Sequence, residues 1–312
     1  MQITQHTVDN FMKSCNLCPR KCGINRTGGE TGFCGQTAEL YAARAALHYW
    51  EEPCISGAYG QDCPGSGTVF FTGCNLKCVF CQNFAIAAGT WGKPISSGRL
   101  KEIFLELQAK GAANINLVTG AHYIPQIALA LQEAKSHGLT IPVVYNSSGY
   151  EEVSSLQLLE GLVDIYLPDL KYCSADLSTR YSHAPNYFEK ACAALEEMYR
   201  QVGPVIFDEA SGLMLRGMLV RHLLLPGQGG DSKKVLRYLH DTYGNNIYIS
   251  IMNQYTPLPH AKEYAEIDRR ITTKEYEKII VFAEKIGIEN AFIQEDGTAD
   301  ESFIPAFHGE GL

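Results

Sequence analysis

Thr68-Val69-Phe70-Phe71-Thr72-Gly73-Cys74-Asn75-Leu76-Lys77-Cys78-Val79-Phe80-Cys81 joins an apolar run to a loop with three cysteines. The run Thr68–Thr72 is rich in β-branched and aromatic residues and reads as a buried strand. The cysteines follow it at the spacing Cys-x3-Cys-x2-Cys, behind a glycine that lets the chain turn. Three thiolates this close can converge on one metal group. A [4Fe–4S] cluster is ordinarily held by four cysteines, so a set of three leaves one iron open to a ligand that is not protein. No further cysteine follows within 20 residues of Cys81. The plainer alternatives are a three-cysteine zinc site or a group of reduced core thiols.

Outward from that stretch, short apolar runs alternate with amphipathic ones. Further strands are predicted at Asn114–Thr119, Pro142–Asn146, Asp164–Leu170, Met218–Leu225 and Asn246–Ile251, with a short extra one at Ala291–Gln294. Leu100, Ile103, Phe104 and Leu107 repeat at helical spacing, as do Ile124, Ile127, Leu131 and Ala134. Tyr276, Ile279, Ile280, Ala283 and Ile286 mark another such face. Apolar strands alternating with helices indicate βαβ units and a parallel sheet covered by helices. A closed eight-unit barrel takes about 250 residues, yet only about six units can be found. The expectation is therefore an α/β fold, an open partial (β/α)6 TIM-like barrel over 68–312. A doubly wound open sheet is the alternative. Either places a site at the C-terminal ends of the strands, where the cysteine loop begins.

The chain of 312 residues carries 34 acidic and 26 basic side chains, a formal charge of −8. That balance argues against a sequence-independent nucleic-acid binder. The start Met1-Gln2-Ile3-Thr4-Gln5-His6 lacks the basic and apolar regions of a signal peptide, and no run has the roughly 18 apolar residues of a membrane span. Eleven cysteines in such a chain point to a reducing, cytoplasmic setting, where clustered thiols more often hold metal than pair.

Nine of those cysteines lie between positions 15 and 81. Cys15, Cys18, Cys22 and Cys34 form Cys-x2-Cys-x3-Cys-x11-Cys, with glycines in the intervening loop. Four thiolates can close around structural zinc or hold an auxiliary iron–sulfur cluster. Zinc is the favoured expectation, because all four ligand positions are filled. Residues 1–67 are expected to form a small N-terminal cysteine-rich module, with a helical patch at Ala38–Tyr49 and a link over Cys54–Gly67. Cys54, Cys63, Cys173 and Cys192 read as packing residues. His122 and His222 read as structural.

The triplet, with Phe80 in the aromatic place before its last cysteine, resembles the radical S-adenosylmethionine (SAM) superfamily. The resemblance implies a partial (β/α)6 barrel and a [4Fe–4S] cluster on Cys74, Cys78 and Cys81. It implies that SAM binds the open iron and is cleaved to a 5'-deoxyadenosyl radical. SAM contacts are then expected at successive strand ends. These are Thr119-Gly120 (with Ala121 where many relatives carry an acid), Asn146-Ser147-Ser148, Asp169 and Lys171, Arg221, and Gln254-Tyr255. Asp169, Lys171 and Arg221 are the candidates for catalytic roles.

Cys15-Asn16-Leu17-Cys18-Pro19-Arg20-Lys21-Cys22-Gly23, Trp50 to Gly57, Gly65 to Thr68, and Val220-Arg221-His222 through Gly227 complete an ordered set. That set is similar to the branch named after pyruvate formate-lyase activating enzyme. This narrower resemblance implies an oxidoreductase of the activating type, a glycyl-radical enzyme as protein substrate, and a low-potential flavodoxin- or ferredoxin-type electron donor. Radical modification of a small molecule or another peptide is the alternative, and an iron–sulfur electron carrier without catalysis is another.

Overall fold

A computed structural model describes residues 2–58, 63–89, 91–294, 305 and 307–312. Residues 59–62 of the expected Cys54–Gly67 link lie outside it. The strands are β1 (Leu40–His48), β2 (Ser66–Phe71), β3 (Lys93–Ile95), β4 (Ile115–Val118) and β5 (Val143–Ser147). They continue with β6 (Ile165–Pro168), β7 (Ile206–Phe207), β8 (Met214–Leu223), β9 (Tyr248–Met252) and β10 (Ala291–Ile293).

One open sheet runs in the order β10-β9-β8-β6-β5-β4-β2-β1-β3. Every pairing from β2 through β4, β5, β6, β8 and β9 to β10 is parallel. The strands add in chain order in one direction, with no reversal. Right-handed crossovers of constant direction put the connecting helices on one face, and the sheet's twist then curls it around the other. A doubly wound sheet reverses its order at a switch point, and none occurs along this path. The partial barrel is the fold, its six long-range units joined by the short seventh strand at Ala291–Ile293.

The two faces of the sheet separate by residue parity. Leu117, Tyr145, Tyr166, Val220 and Ile249 pack outward with helix residues such as Leu100, Ile127, Leu195 and Leu236. Val144, Ile165, Leu167 and Leu219 point the other way, where Cys54 and Ile55 plug the barrel interior. Period-2 alternation thus fixes which strand residues reach the lumen.

The expected helix at Ala38–Tyr49 is a strand. Its alanines favour a helix locally, but β2 needs an antiparallel neighbour on its open side. β1 supplies one, pairing Ala42 with Phe71 through to His48 with Ser66. Small side chains also let the C-terminal tail approach, where the Ala45 N–H donates to the Glu310 carbonyl at 2.8 Å. Residues 1–67 therefore contribute a strand to the sheet itself. β3 and the two-residue β7, antiparallel to β1 and β8, had no recognisable sequence pattern.

Candidate active site

The C-terminal ends of the parallel strands open into a cavity of about 670 Å3, within the range of small-molecule sites. Cys74, Cys78 and Cys81 all line it. The loop that carries them leaves β2 through Gly73, whose φ of +87° only glycine adopts at ease. The Cys74 sulfur accepts the Leu76 N–H at 3.3 Å, and the Cys78 sulfur accepts the Ser182 hydroxyl at 3.0 Å. Phe80 is buried, its ring 6.1 Å from that of Tyr255.

Burial pushes all three thiols up, Cys81 to about 12, and for Cys74 and Cys81 mutual repulsion within the triplet adds to it. A multiply charged iron core reverses that balance, because coordination holds thiols deprotonated. Three sulfurs on one buried wall, two already receiving hydrogen bonds, fit a cluster that lacks a fourth protein ligand.

The other expected residues form much of the ring around them. Thr119, Asn146, Ser147, Ser148, Asp169, Lys171, Arg221, Gln254 and Tyr255 all line the same cavity. Gly120 does not, and a Cβ there would meet Ile127 in the outer core at 2.6 Å. Thr119 holds φ +61°, costly for a β-branched residue and typical of a constrained site. Asp169 and Lys171 form an ion pair. Burial would lower the Lys171 ammonium, but the Asp169 carboxylate beside it holds it charged and well above its usual range. His222 is a backbone tie, as its sequence suggested. Its Nδ1 pairs with the Leu170 carbonyl at 2.8 Å, and burial lowers it to about 4.

Tyr255 reaches the cavity with its ring only, since its hydroxyl is committed to the Ile267 carbonyl at 2.8 Å. Tyr187 escaped the sequence reading because nothing local sets it apart. Its buried hydroxyl lies 2.8 Å from the Ser148 carbonyl and 3.0 Å from that of Asp169, and it accepts the Lys171 N–H at 3.0 Å. It clamps two strand-end loops together.

Glu51 and Glu52 also escaped. They belong to Trp50-Glu51-Glu52-Pro53-Cys54, a segment noted only as part of a motif, yet both carboxylates are buried in the barrel lumen. Two adjacent acids between an indole and a proline-started helix were the available signal. Arg221, expected beside SAM, lines the cavity and pairs with both. Its Nε donates to Glu52 Oε1 at 2.9 Å, and Asn116 Nδ2 donates to Glu51 Oε1 at 2.9 Å. Burial alone would raise the Glu52 carboxyl, but Arg221 outweighs it and holds the group below its ordinary value. Two carboxylates thus meet one guanidinium on the cavity floor.

Cys15, Cys18, Cys22 and Cys34 stand outside this cavity, together at a smaller one.

A family model described as the radical SAM superfamily matches residues 68–239, more than half of the sequence. The chain belongs to the radical SAM superfamily. Members of this superfamily use a [4Fe–4S] cluster and SAM, for which the triplet and the ring of strand-end residues are the fitting places here.

An uncharacterised protein of Methanocaldococcus jannaschii is 32% identical over 287 residues, covering 90% of this chain and 77% of that one. Among solved structures, the FeFe-hydrogenase maturase HydG from Carboxydothermus hydrogenoformans shares the fold with a TM-score of 0.50 at 14% identity. The match covers 76% of this chain and 56% of the maturase, so the chain spans little more than half of that protein's length. Methylornithine synthase is a weaker likeness, with a TM-score of 0.48 at 14% identity over 76% of this chain and 68% of that one.

Proposed function

We propose that this superfamily member abstracts hydrogen from a substrate held over the floor of the barrel. The carrying observation is that the three thiols and the polar strand-end residues share one buried cavity. When bound, the cluster would supply the electron that splits SAM, and the deoxyadenosyl radical released would take the hydrogen atom. Cys74, Cys78 and Cys81 would hold it. Asp169 accepts ribose hydroxyl or amine protons, while Lys171, fixed as a cation, faces a carboxylate. Asn146, Ser147 and Ser148 offer further hydrogen-bonding groups at the same rim. Arg221 stays with Glu51 and Glu52 below them, and shapes the substrate end.

The activating-enzyme reading, with a glycyl-radical protein as substrate and a flavodoxin- or ferredoxin-type donor, rests on the motif set. The two acids that meet a single arginine on the floor favour a second reading, a small substrate or side chain carrying a cationic group. A cytoplasmic location is part of the proposal. Among the described residues no helix is long and apolar enough to cross a membrane.

Anaerobic protein given SAM and dithionite is expected to release 5'-deoxyadenosine; a cluster-loaded protein that forms none would leave a mere electron carrier. A glycyl-radical signal in electron paramagnetic resonance (EPR) with a candidate partner supports the activating role. Deuterium transfer into 5'-deoxyadenosine from a labelled small amine, without any partner, supports the second reading.

A further inference from the structure

Arg20 leaves the N-terminal segment between Cys18 and Cys22 and reaches the triplet loop. Its guanidinium carbon sits over the Phe33 ring, 3.7 Å from the centroid, with the centroid of Tyr150 5.2 Å away. Such contacts with aromatic rings help to orient a guanidinium. Its three nitrogens donate to backbone carbonyls. Nε donates to Asn75 at 2.9 Å, Nη1 to His183 at 2.6 Å and Nη2 to Ser182 at 3.4 Å. Asn75 follows Cys74 in the triplet loop, while Ser182 and His183 end the helix Ala175–Ser182. One side chain ties the two segments together.

The helix end that it holds carries a donor to the triplet. Ser182 is fully buried, and its hydroxyl donates to the Cys78 sulfur at 3.0 Å. The Tyr172 hydroxyl, 2.9 Å from the same oxygen, is left to donate to it. The last carbonyls of a helix have no partner within it. Arg20 takes them here, where a cation also suits the helix dipole. His183 holds φ +52°, a left-handed conformation that a residue with a Cβ keeps only while its surroundings enforce it. The Arg20 bond to the His183 carbonyl is part of that enforcement. With the fork withdrawn, the turn can relax and carry Ser182 off Cys78.

We propose that Arg20 is a positioning residue for the triplet. By gripping Asn75 on one side and the Ser182–His183 turn on the other, it fixes the Ser182–Cys78 hydrogen bond and so sets the reduction potential of a cluster bound there. This deepens the reading of the barrel cavity and rests on it. A hydrogen bond to a thiolate favours the reduced, more negative state, so losing it lowers the potential. The fork is needed as well as the charge, because a lysine has no second nitrogen with which to span both segments.

The test is redox titration followed by EPR on the full, cluster-loaded chain, in native, Arg20→Lys, Ser182→Ala and doubly substituted forms. Arg20→Lys keeps the positive charge. It is expected to shift the potential to more negative values, by no more than Ser182→Ala does, and to add no shift once the Ser182 hydroxyl is gone. A native potential in Arg20→Lys, or an equal shift with and without that hydroxyl, would overturn the proposal, since the arginine would then act as a charge or a general brace. If Arg20→Lys does not fold, Phe33→Leu decides, because it removes the ring against the guanidinium and leaves Arg20 in place. A negative shift that vanishes in the Ser182→Ala background is again expected, and no shift would count against Arg20. A native chain that assembles no SAM-responsive cluster would sink the cavity reading, and this inference with it, before any variant is compared.

Discussion

Arg221 and Glu52 are 169 residues apart in sequence and share a hydrogen-bonded ion pair inside the barrel. β8 carries the arginine on its lumen face, and the segment before Pro53 delivers the acid from the other end of the chain. Glu51 joins them from the neighbouring position. Removing one partner of a buried ion pair strands the other without solvent, typically at 3–5 kcal/mol. Arg221→Ala, which strands two carboxylates, is thus expected to cost about 3–5 kcal/mol in chemical denaturation. Glu51→Gln should cost much less, because Glu52 still neutralises the arginine. Equal losses from the two would mean that Glu51 and Glu52 do not share Arg221.

Cys78→Ala should abolish SAM cleavage while the far-ultraviolet circular dichroism stays native, since the sulfur lines the cavity and the residue is only half-buried. Wild-type cleavage rates in that variant would remove Cys78 from the ligand set. Ser182→Ala, which deletes the hydroxyl donor to Cys78, should leave the cluster assembled but shift its reduction potential to more negative values. Redox titration followed by EPR would read the shift.

Gly149 holds φ +75°, and a Cβ there would lie 2.2 Å from the Asp169 carbonyl oxygen. Gly149→Ala must therefore push the β6 loop, and with it Asp169 and Lys171, away from the Ser147-Ser148 rim. The backbone conformation alone costs about 1–3 kcal/mol. SAM affinity, measured by calorimetry on cluster-loaded protein, is expected to fall at least tenfold. Unchanged affinity would place SAM away from these two loops.

Glu151 is fully buried beside the Tyr145 hydroxyl, and burial raises its carboxyl from an ordinary 4.5 to about 8. The folded state therefore favours the protonated acid. Its stabilising contribution is complete below pH about 4.5 and is lost as the pH climbs through about 8. Glu151→Gln should flatten that decline, gaining up to a few kcal/mol over wild type above pH 8. Parallel melting-temperature profiles of the two proteins from pH 6 to 9 would count against a buried, protonated Glu151.

The sequence by itself determined the barrel and the triplet, because both depend on local spacing. Apolar runs announced all seven parallel strands, the last as a short extra one, and period-3.6 faces announced three of the helices. Cys74, Cys78 and Cys81 lie within eight residues, so any compact loop brings them together. Strand ends supplied Asn146, Ser147, Ser148, Asp169 and Lys171 because a parallel α/β sheet always opens its site there. Only the tertiary structure decided the rest. It made the alanine-rich stretch at β1 a strand, since an unpaired sheet edge outweighs helix propensity. It left Gly120 off the cavity wall, past the end of its strand and against Ile127 of the outer core. It also turned Glu51 and Glu52 into the floor of the site, for two acids can leave water only when a distant cation meets them, and no local pattern records where Arg221 will be.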